Sequence, residues 1–130
     1  MVNTLRNTLR TDNDLKLLVG TDSKGYAKIY SVIAPEGCTP PYITITQVGE
    51  PRNVLGSSIY NLQFSIFCSG YGESKHISTT LTTKLKSLDG YNNVFAVYPD
   101  NEQDMYEPTT KLYHIPLDIT MYKYEPSISY

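Results

Sequence analysis

The chain has 130 residues, of which 40% are hydrophobic and 18% charged, and its net charge is −2. A chain of this length buries about two-thirds of its unfolded surface, so we expect one domain over residues 1–124 and a flexible tail at 125–130. This net negative charge argues against nucleic-acid binding, because proteins that bind a phosphate backbone usually carry a stripe of basic residues. No apolar run approaches the ~20 residues of a membrane span, so we expect synthesis in the cytoplasm and no membrane partner.

The tyrosine and cysteine content indicates what kind of surface and cellular compartment to expect. The sequence contains 12 Tyr, 3 Phe and no Trp. Tyrosine suits half-exposed sheets and interfaces, because its ring packs while its hydroxyl stays hydrated. Cys38 and Cys68 lie in unrelated contexts and form neither a CxxC pair nor a disulfide framework. We therefore expect two free thiols in a reducing compartment.

The first part of the chain predicts two short helices and a strand. Apolar residues recur at helical spacing through 2–10, which is typical of an amphipathic helix. A second helical turn, capped by Thr11 or Asp12, is expected to end at Gly20. Residues 26–33 are rich in β-branched and aromatic side chains and predict a strand.

The middle of the chain carries the strongest patterns. After a proline-punctuated loop at 34–41, residues 42–48 alternate Ile with Thr and predict a strand with one buried face. Residues 59–68 form the clearest strand, about 33 Å long, which suits the middle of a sheet. Its apolar side holds Tyr60, Leu62, Phe64, Ile66 and Cys68. An apolar stripe over 71–88 predicts a helix that stops at Gly90.

The last part predicts a short strand at 94–98, an acidic loop at 99–111 and a final strand at 112–124. Pro116 lacks an amide donor, which favours an edge or bulged position for that final strand. The whole order indicates an α+β fold. We expect a mostly antiparallel sheet of about four to five strands, with mixed pairing left open, and two helices on one face.

Two patterns come close to metal sites. Glu73 and His76 have the spacing of a di-iron ligand pair, but that chemistry needs a second such pair and two further carboxylates from a four-helix bundle. The acids of 100–104 resemble the start of a calcium loop, yet Met105 stands where Gly is required and Lys111 where Glu is required. We therefore predict no metal site and a solvated Glu73 and His76.

Catalytic patterns are equally incomplete. No Ser lies in a Gly-x-Ser-x-Gly turn, and no Gly-rich loop carries a phosphate-binding Lys. His114 and Asp118 share a strand face but stand about 13 Å apart at strand rise, beyond hydrogen-bonding reach. The prediction is a protein that is not an enzyme, with no catalytic residue and no cofactor. A small cytoplasmic enzyme or ligand-binding module stays as an alternative, and it would need an apolar pocket with convergent polar groups.

The polar, tyrosine-bearing side of the sheet is the remaining candidate for function. Helices on one face leave the other face and the edges to be covered, and a neighbouring subunit can do this. The long loops at 34–41, 50–58 and 99–111 add further surface. An ordinary solvated sheet face is the alternative reading.

The order of elements also resembles that of a known family. The pattern comprises Leu5 and Leu9 on a first helix, the turn from Asp12 to Leu15 closing at Gly20, Pro40-Pro41-Tyr42 opening a strand, the strand 59–68, the helix 71–88 and a final strand with Leu117 and Ile119. This layout resembles bacteriophage tail completion, or tail terminator, proteins over nearly the whole chain. The resemblance implies a virion protein that forms a ring, typically a hexamer, which caps the tail tube and joins it to the head-proximal connector or stopper protein.

The resemblance suggests interface positions but supplies no ligand or catalytic motif to transfer. Our hypothesis is that the segment with Arg52 and Asn53 and the acidic residues Asp100, Glu102, Asp104 and Glu107 face neighbouring subunits or the DNA channel. Modest negative charge would let DNA pass through the ring without specific binding. A different neck or minor tail protein, such as a head-completion stopper, is the alternative within the same class.

Overall fold

The computed structural model describes residues 2–54, 56–88 and 94–124. This part of the chain contains three helices, α1 (Val2–Leu9), α2 (Asn13–Val19) and α3 (Tyr71–Lys86). It also contains seven strands: β1 (Ile29–Ser31), β2 (Tyr42–Gln47), β3 (Arg52–Val54), β4 (Ser57–Cys68), β5 (Val94–Glu102), β6 (Met105–Glu107) and β7 (Leu112–Tyr124). The predicted helix stop at Gly90 and the predicted tail at 125–130 lie outside the described residues.

All seven strands belong to one mixed sheet with the order β1-β2-β4-β7-β5. Strands β1 and β2 are parallel, and the other pairs are antiparallel. The two shortest additional strands sit beside this path, since β3 pairs with β4 and β6 with β7. The predicted α+β class is confirmed. The strand count exceeds the expected four to five because segments expected to be loops pair with the two longest strands.

The long strands β4 and β7 form the centre of the sheet, as predicted for 59–68. Phe64 lies opposite Leu117 on one side and Ile45 on the other, and all three are buried. Alternation places every second residue of these strands on the same face. The apolar side of β4 predicted from the sequence is buried throughout.

The three helices cover that apolar face. Helix α1 contacts β1 and β2, α3 contacts β4, β5 and β7, and α2 packs on α3. Their apolar stripes enter one core, which contains Leu5, Leu9, Leu15, Val19, Ile77, Leu81 and Leu85. We call this side of the sheet the helix-covered face and the opposite side the outer face.

Helix α2 begins and ends as its sequence predicts. The Asp12 side chain accepts hydrogen bonds from the amides of Asp14 and Leu15 at 3.0 and 3.1 Å, which satisfies donors that a helix start leaves unpaired. Gly20 follows the helix with a φ of 78°, a conformation that favours glycine. Lys84 of α3 pairs with Asp12 and Asp14 at 3.3 and 2.7 Å and ties the two helices together.

The strand predicted at 26–33 is much shorter than expected. Only Ile29–Ser31 pair with β2. Val32 has a φ of 66°, and the Ile33 amide donates to the Ser31 carbonyl at 2.7 Å, so residues 31–33 form a γ-turn that ends the strand. A β-branched residue at positive φ is strained, and no local pattern predicts it.

Two predicted loops contain strands. The 50–58 segment holds β3 and the start of β4, joined through a tight turn. The 99–111 segment holds the end of β5 and all of β6, followed by a turn at 108–111. Both predictions were wrong because these short segments form hairpins with the strands that follow them, β3 with β4 and β6 with β7, although their own composition favours loops.

The strand with Pro116 was predicted to lie at an edge or to be bulged at the proline, and both alternatives are wrong. Strand β7 lies between β4 and β5, and its pairing with β4 continues through Pro116 without a register shift. The Pro116 carbonyl accepts from the Gln103 amide at 3.2 Å, so the backbone groups of Pro116 point between the end of β5 and the start of β6. The missing donor therefore coincides with the break between β5 and β6 in the pairing along β7.

Both edges of the sheet are protected against strand addition. At one edge, Arg6 Nε donates to the Ile29 carbonyl at 2.6 Å and fills a backbone acceptor of the three-residue strand β1. At the other edge, β5 carries Pro99, the charged Asp100 and two register shifts. Short strands, prolines, charges and bulges are the devices that prevent edge-to-edge pairing.

Candidate functional site

None of the described helices packs on the outer face of the sheet. It carries the residues that alternate with the core positions of β2, β4 and β7, and most of them are polar or aromatic. They include Tyr42, Thr44, Thr46, Asn61, Gln63, Ser65, Phe67, His114, Asp118, Thr120 and Tyr122, together with the apolar Ile59 and Pro116. The predicted polar, tyrosine-bearing face is therefore present.

Three aromatic rings from three strands stack across one half of this face. The Phe67 ring lies 4.9 Å from the Tyr42 ring and 4.4 Å from the His114 imidazole, with interplanar angles of 24° and 13°. Stacked rings of this kind contribute about 0.5–1.5 kcal/mol per pair beyond area burial. The stack gives this half of the outer face a rigid aromatic surface.

Burial shifts the pKa values of His114 and Tyr42, the two titratable residues of the stack. His114 Nε2 is buried and has no hydrogen-bond partner among the described residues, and burial lowers the pKa of the imidazole. Burial, together with the nearby Cys38, raises the pKa of Tyr42. Both groups are therefore uncharged near neutral pH, which keeps this half of the face free of charge.

A groove adjoins the aromatic stack at the β1 corner. The loop that follows β1 folds against the outer face and forms one side of an open groove of about 300 Å³. Its lining includes Val32, Ile33, Cys38, Tyr42 and Phe67. Val32 and Ile33 are 66% and 77% exposed, so two aliphatic side chains face solvent at its rim. We call this feature the γ-turn groove.

The other half of the outer face is polar and internally hydrogen-bonded. Gln63 Nε2 donates to Asp118 Oδ1 at 3.1 Å. The Thr120 hydroxyl lies within hydrogen-bonding distance of Asn61 and Asp100. A shallow depression of about 550 Å³ lies beside this network, at the β5 edge.

The structure divides the acidic interface candidates into two groups. Glu102 and Asp104 turn toward α3, where Lys75 donates to both carboxylates. Ser78 also donates to Glu102, and the Tyr71 hydroxyl donates to Asp104 at 2.8 Å. Burial alone would raise the pKa of Glu102, but the hydrogen bonds from Lys75 and Ser78 outweigh it and lower that pKa. The hydrogen bonds from Tyr71 and Lys75 lower the pKa of Asp104.

The remaining interface candidates lie on exposed backbone. Asp100 contacts Thr120 on the outer face, and Glu107 accepts from the Thr109 amide in the turn after β6. Arg52 is exposed on β3. Asn53 stabilises the adjoining turn, because it donates to Ser58 and accepts from the Gly56 amide. The six candidates therefore do not form one cluster, and their role at an interface stays a prediction.

The incomplete metal-binding and catalytic patterns found in the sequence do not form a site in the described part of the chain. No three His, Cys, Asp or Glu side chains of residues 2–54, 56–88 and 94–124 lie close enough to hold a metal ion. Glu73 and His76 are exposed, as predicted. Asp118 accepts from Gln63, while His114 packs on Phe67. Cys38 and Cys68 are free thiols. In the same residues, no helix is long and apolar enough to cross a membrane.

Sequence reasoning identified the outer face but missed its two most specific features. The aromatic stack joins residues 25 and 47 positions apart (42 to 67, and 67 to 114), so no local pattern indicates it. The available signal was the aromatic residue at the end of each strand on its polar side. The groove depends on the γ-turn at Val32. The only sequence feature that could have indicated it is the adjacent aliphatic pair Val32-Ile33 before a proline-containing loop.

Comparison with known proteins bears on the fold. No protein-family model matches the chain, and no curated protein is similar to it in sequence. Among solved structures, the fold is similar to that of a chain in the virion of a native gene transfer agent particle, with a TM-score of 0.68 and 16% sequence identity. The similarity covers 91% of this chain and 90% of that chain. At this identity the likeness shows a shared fold along nearly the whole of both chains.

Proposed function

We propose that this protein is a non-enzymatic structural component of a phage-like virion. The observation that carries the proposal is the fold shared with a chain of a gene transfer agent virion, which spans nearly all of both chains. The surface chemistry agrees, because the outer face offers aromatic rings and satisfied polar groups for protein contact. The same face offers no group of side chains poised for proton transfer or nucleophilic attack in the described residues.

Within that class, we propose the role of tail terminator. Copies of the chain would close into a ring of six, cap the finished tail tube and join it to the head-proximal connector. The support is the resemblance in element order, together with a sheet whose edges are protected and whose outer face is uncovered. Identical head-to-tail contacts close a ring when their rotation closes, and the two sides of the ring can then bind different neighbours.

The charge of the protein suits a channel through which DNA moves. Asp100 and Glu107 are exposed, and the net charge of the chain is −2. A surface without clustered cations makes few phosphate contacts and leaves DNA free to slide. We propose that these acids face the channel or a neighbouring subunit. Glu102 and Asp104 would help to shape the same region by holding β5 and β6 on α3.

The test combines mass measurement with binding to virion parts. Purified protein at increasing concentration is analysed by mass photometry and negative-stain electron microscopy, and is then mixed separately with tail tubes and with head-proximal connectors. We expect closed six-membered rings that cap one end of the tubes. A protein that stays monomeric at every concentration and binds neither part would contradict the virion proposal. Binding to connectors with no capping of tubes would favour the head-completion stopper instead.

A further inference from the structure

Two exposed aliphatic side chains lie on opposite layers of the molecule. Leu17 of α2 is 84% exposed and Ile33 of the γ-turn groove is 77% exposed, the highest values among the large hydrophobic residues that the structure describes. Leu17 belongs to the helix layer, because its neighbours Leu15 and Val19 are buried in the core. Ile33 lies beside the outer face. Exposed apolar groups of this size are typical of interaction surfaces when they adjoin further apolar area.

The γ-turn groove has the properties of a protein-binding surface rather than a small-molecule site. None of the residues that line it carries a formal charge. The hydrocarbon side chains of the lining are those of Val32, Ile33, Ala34, Pro35 and Phe67. The Cys38 thiol lies 3.7 Å from the Tyr30 hydroxyl and 3.8 Å from the Thr39 carbonyl. The groove volume of about 300 Å³ is at the lower limit for small-molecule pockets but ample for one aliphatic side chain.

Backbone strain marks the same place. Val32 holds a φ of 66°, which costs a β-branched residue about 1–3 kcal/mol. The result of that strain is a strand that stops after three residues and an aliphatic pair that faces outward. Strain of this kind is typical of functional segments. It therefore points independently to the groove as a contact site.

The charges beside the two features are complementary. Lys16 precedes Leu17, and Glu36 lies between the groove residues Pro35 and Gly37. Neither charge forms an ion pair with another described residue of the same chain. Asp14 also lies beside Leu17, but it is paired with Lys84 at 2.7 Å, so Lys16 is the nearby charge that is left for a partner. An exposed leucine next to an unpaired cation is complementary to an uncharged groove with an unpaired anion in its loop.

We infer that Leu17 of one copy inserts into the γ-turn groove of a second copy, with Lys16 facing Glu36 across the contact. The two patches are different and do not overlap, so each copy can act as donor and acceptor at once. Repetition of such a contact generates a ring or an open chain, whereas a two-fold contact would end at a dimer. The inference rests on the proposed self-assembly and specifies the surfaces that perform it.

The decisive experiment uses two variants with one defective patch each. Leu17→Glu removes the inserting side chain, and Ile33→Glu places a charge at the groove. We expect each variant alone to need at least about tenfold higher concentration to assemble, as for the loss of an interface hot spot. Mixed in equal amounts, the two variants retain one intact contact, because Leu17 of the Ile33→Glu protein can enter the groove of the Leu17→Glu protein. The expected product is a heterodimer that grows no further.

A charge exchange tests the same contact without altering apolar area. Lys16→Glu and Glu36→Lys should each weaken assembly, and the double exchange should restore it. Lys24→Glu is the matched control, because Lys24 is likewise a lysine, is exposed and lies outside both patches. It should assemble like the wild type. Circular dichroism and thermal melting should show all variants folded, since every altered side chain is partly or fully exposed.

The outcomes separate this inference from the proposed function. Wild-type rings that persist in both single variants would overturn the Leu17 contact and leave ring formation intact. A mixture of the two variants that forms nothing would also overturn it. Failure of the wild type to assemble or to bind any virion part would overturn the proposed function itself.

Discussion

The two faces of the sheet are made by alternate residues of the same strands, yet they follow different physical rules. On the helix-covered face, Phe64, Leu117 and Ile119 are at most 2% exposed and pack against three helices. On the outer face, Gln63, Asp118 and Thr120 alternate with them, and Gln63 donates a hydrogen bond to Asp118 while Thr120 donates one to Asn61. The helix-covered face therefore determines whether the chain folds. The outer face is an ordered surface whose individual side chains contribute little to the free energy of folding.

The largest expected effect is at the helix-covered face. Phe64→Ala removes a fully buried ring at the centre of β4 and should lower the free energy of unfolding by about 3–5 kcal/mol. Gln63→Ala, one residue away on the outer face, removes one hydrogen bond and should cost about 1 kcal/mol. Urea denaturation of both variants measures the comparison. Equal losses would show that the outer face stabilises the fold as strongly as the core does.

The next effect concerns the helix layer alone. Asp12→Ala removes two hydrogen bonds to the start of α2 and should cost about 1–2 kcal/mol. Asp14→Ala is the control, because Asp14 pairs with the same Lys84 but caps nothing, and its solvent-exposed ion pair should contribute less than the cap does. Thermal melts compare the two variants. A control as damaging as Asp12→Ala would assign the effect to the ion pairs.

A smaller effect of opposite sign is expected at the γ-turn groove. Val32→Gly relieves the positive φ, a gain of about 1–3 kcal/mol that glycine's chain entropy reduces by about 0.5–1 kcal/mol. The net result should be a protein more stable by about 1 kcal/mol in urea. Ile33→Gly, next to it and outside the positive-φ region, should be slightly destabilising. A loss of stability in Val32→Gly would show that Val32 is not strained.

The smallest effect is a pH dependence on the outer face. Burial lowers the pKa of His114 in the folded protein, so the unfolded chain takes up a proton first as pH falls. Stability contributed by the neutral imidazole is thus present above the unfolded pKa of about 6.5 and is lost as pH decreases below it. His114→Phe keeps a ring on Phe67 and should flatten the change in unfolding free energy between pH 7 and 5. Identical slopes for both proteins would contradict a buried, neutral His114.

Local patterns predicted the parts of the fold that depend on neighbouring residues. The alternation in β4 and the cap of α2 at Asp12 act within a few positions, so the sequence reveals them directly. The strands β3 and β6 were missed because three residues are too few to show an alternating pattern, although each pairs with the strand that follows it. The β1 strand was expected to be longer because no pattern anticipates a valine at positive φ.

The candidate site was harder to predict than the fold, because its contacts join residues that are far apart in the sequence. Acidic composition indicated an interface around 99–111, but the contacts with Lys75 and Ser78 depend on how β5 and β6 lie against α3. The aromatic stack likewise requires the register of three strands. Composition thus identified which residue types are available, whereas tertiary packing decides which of them face a partner.

The protected edges of the sheet have a consequence for growth. If copies joined by pairing strands, each addition would expose a new edge, and polymerisation would have no natural end, as in fibrils. Here Arg6 occupies a backbone acceptor at one edge, while Pro99 and the register shifts disrupt the other. In the proposed ring, copies would therefore contact one another through side-chain surfaces, and the angle between those surfaces would set how many copies complete a circle. Protected edges would thus favour a finite assembly whose size depends on contact geometry and not on the amount of protein available.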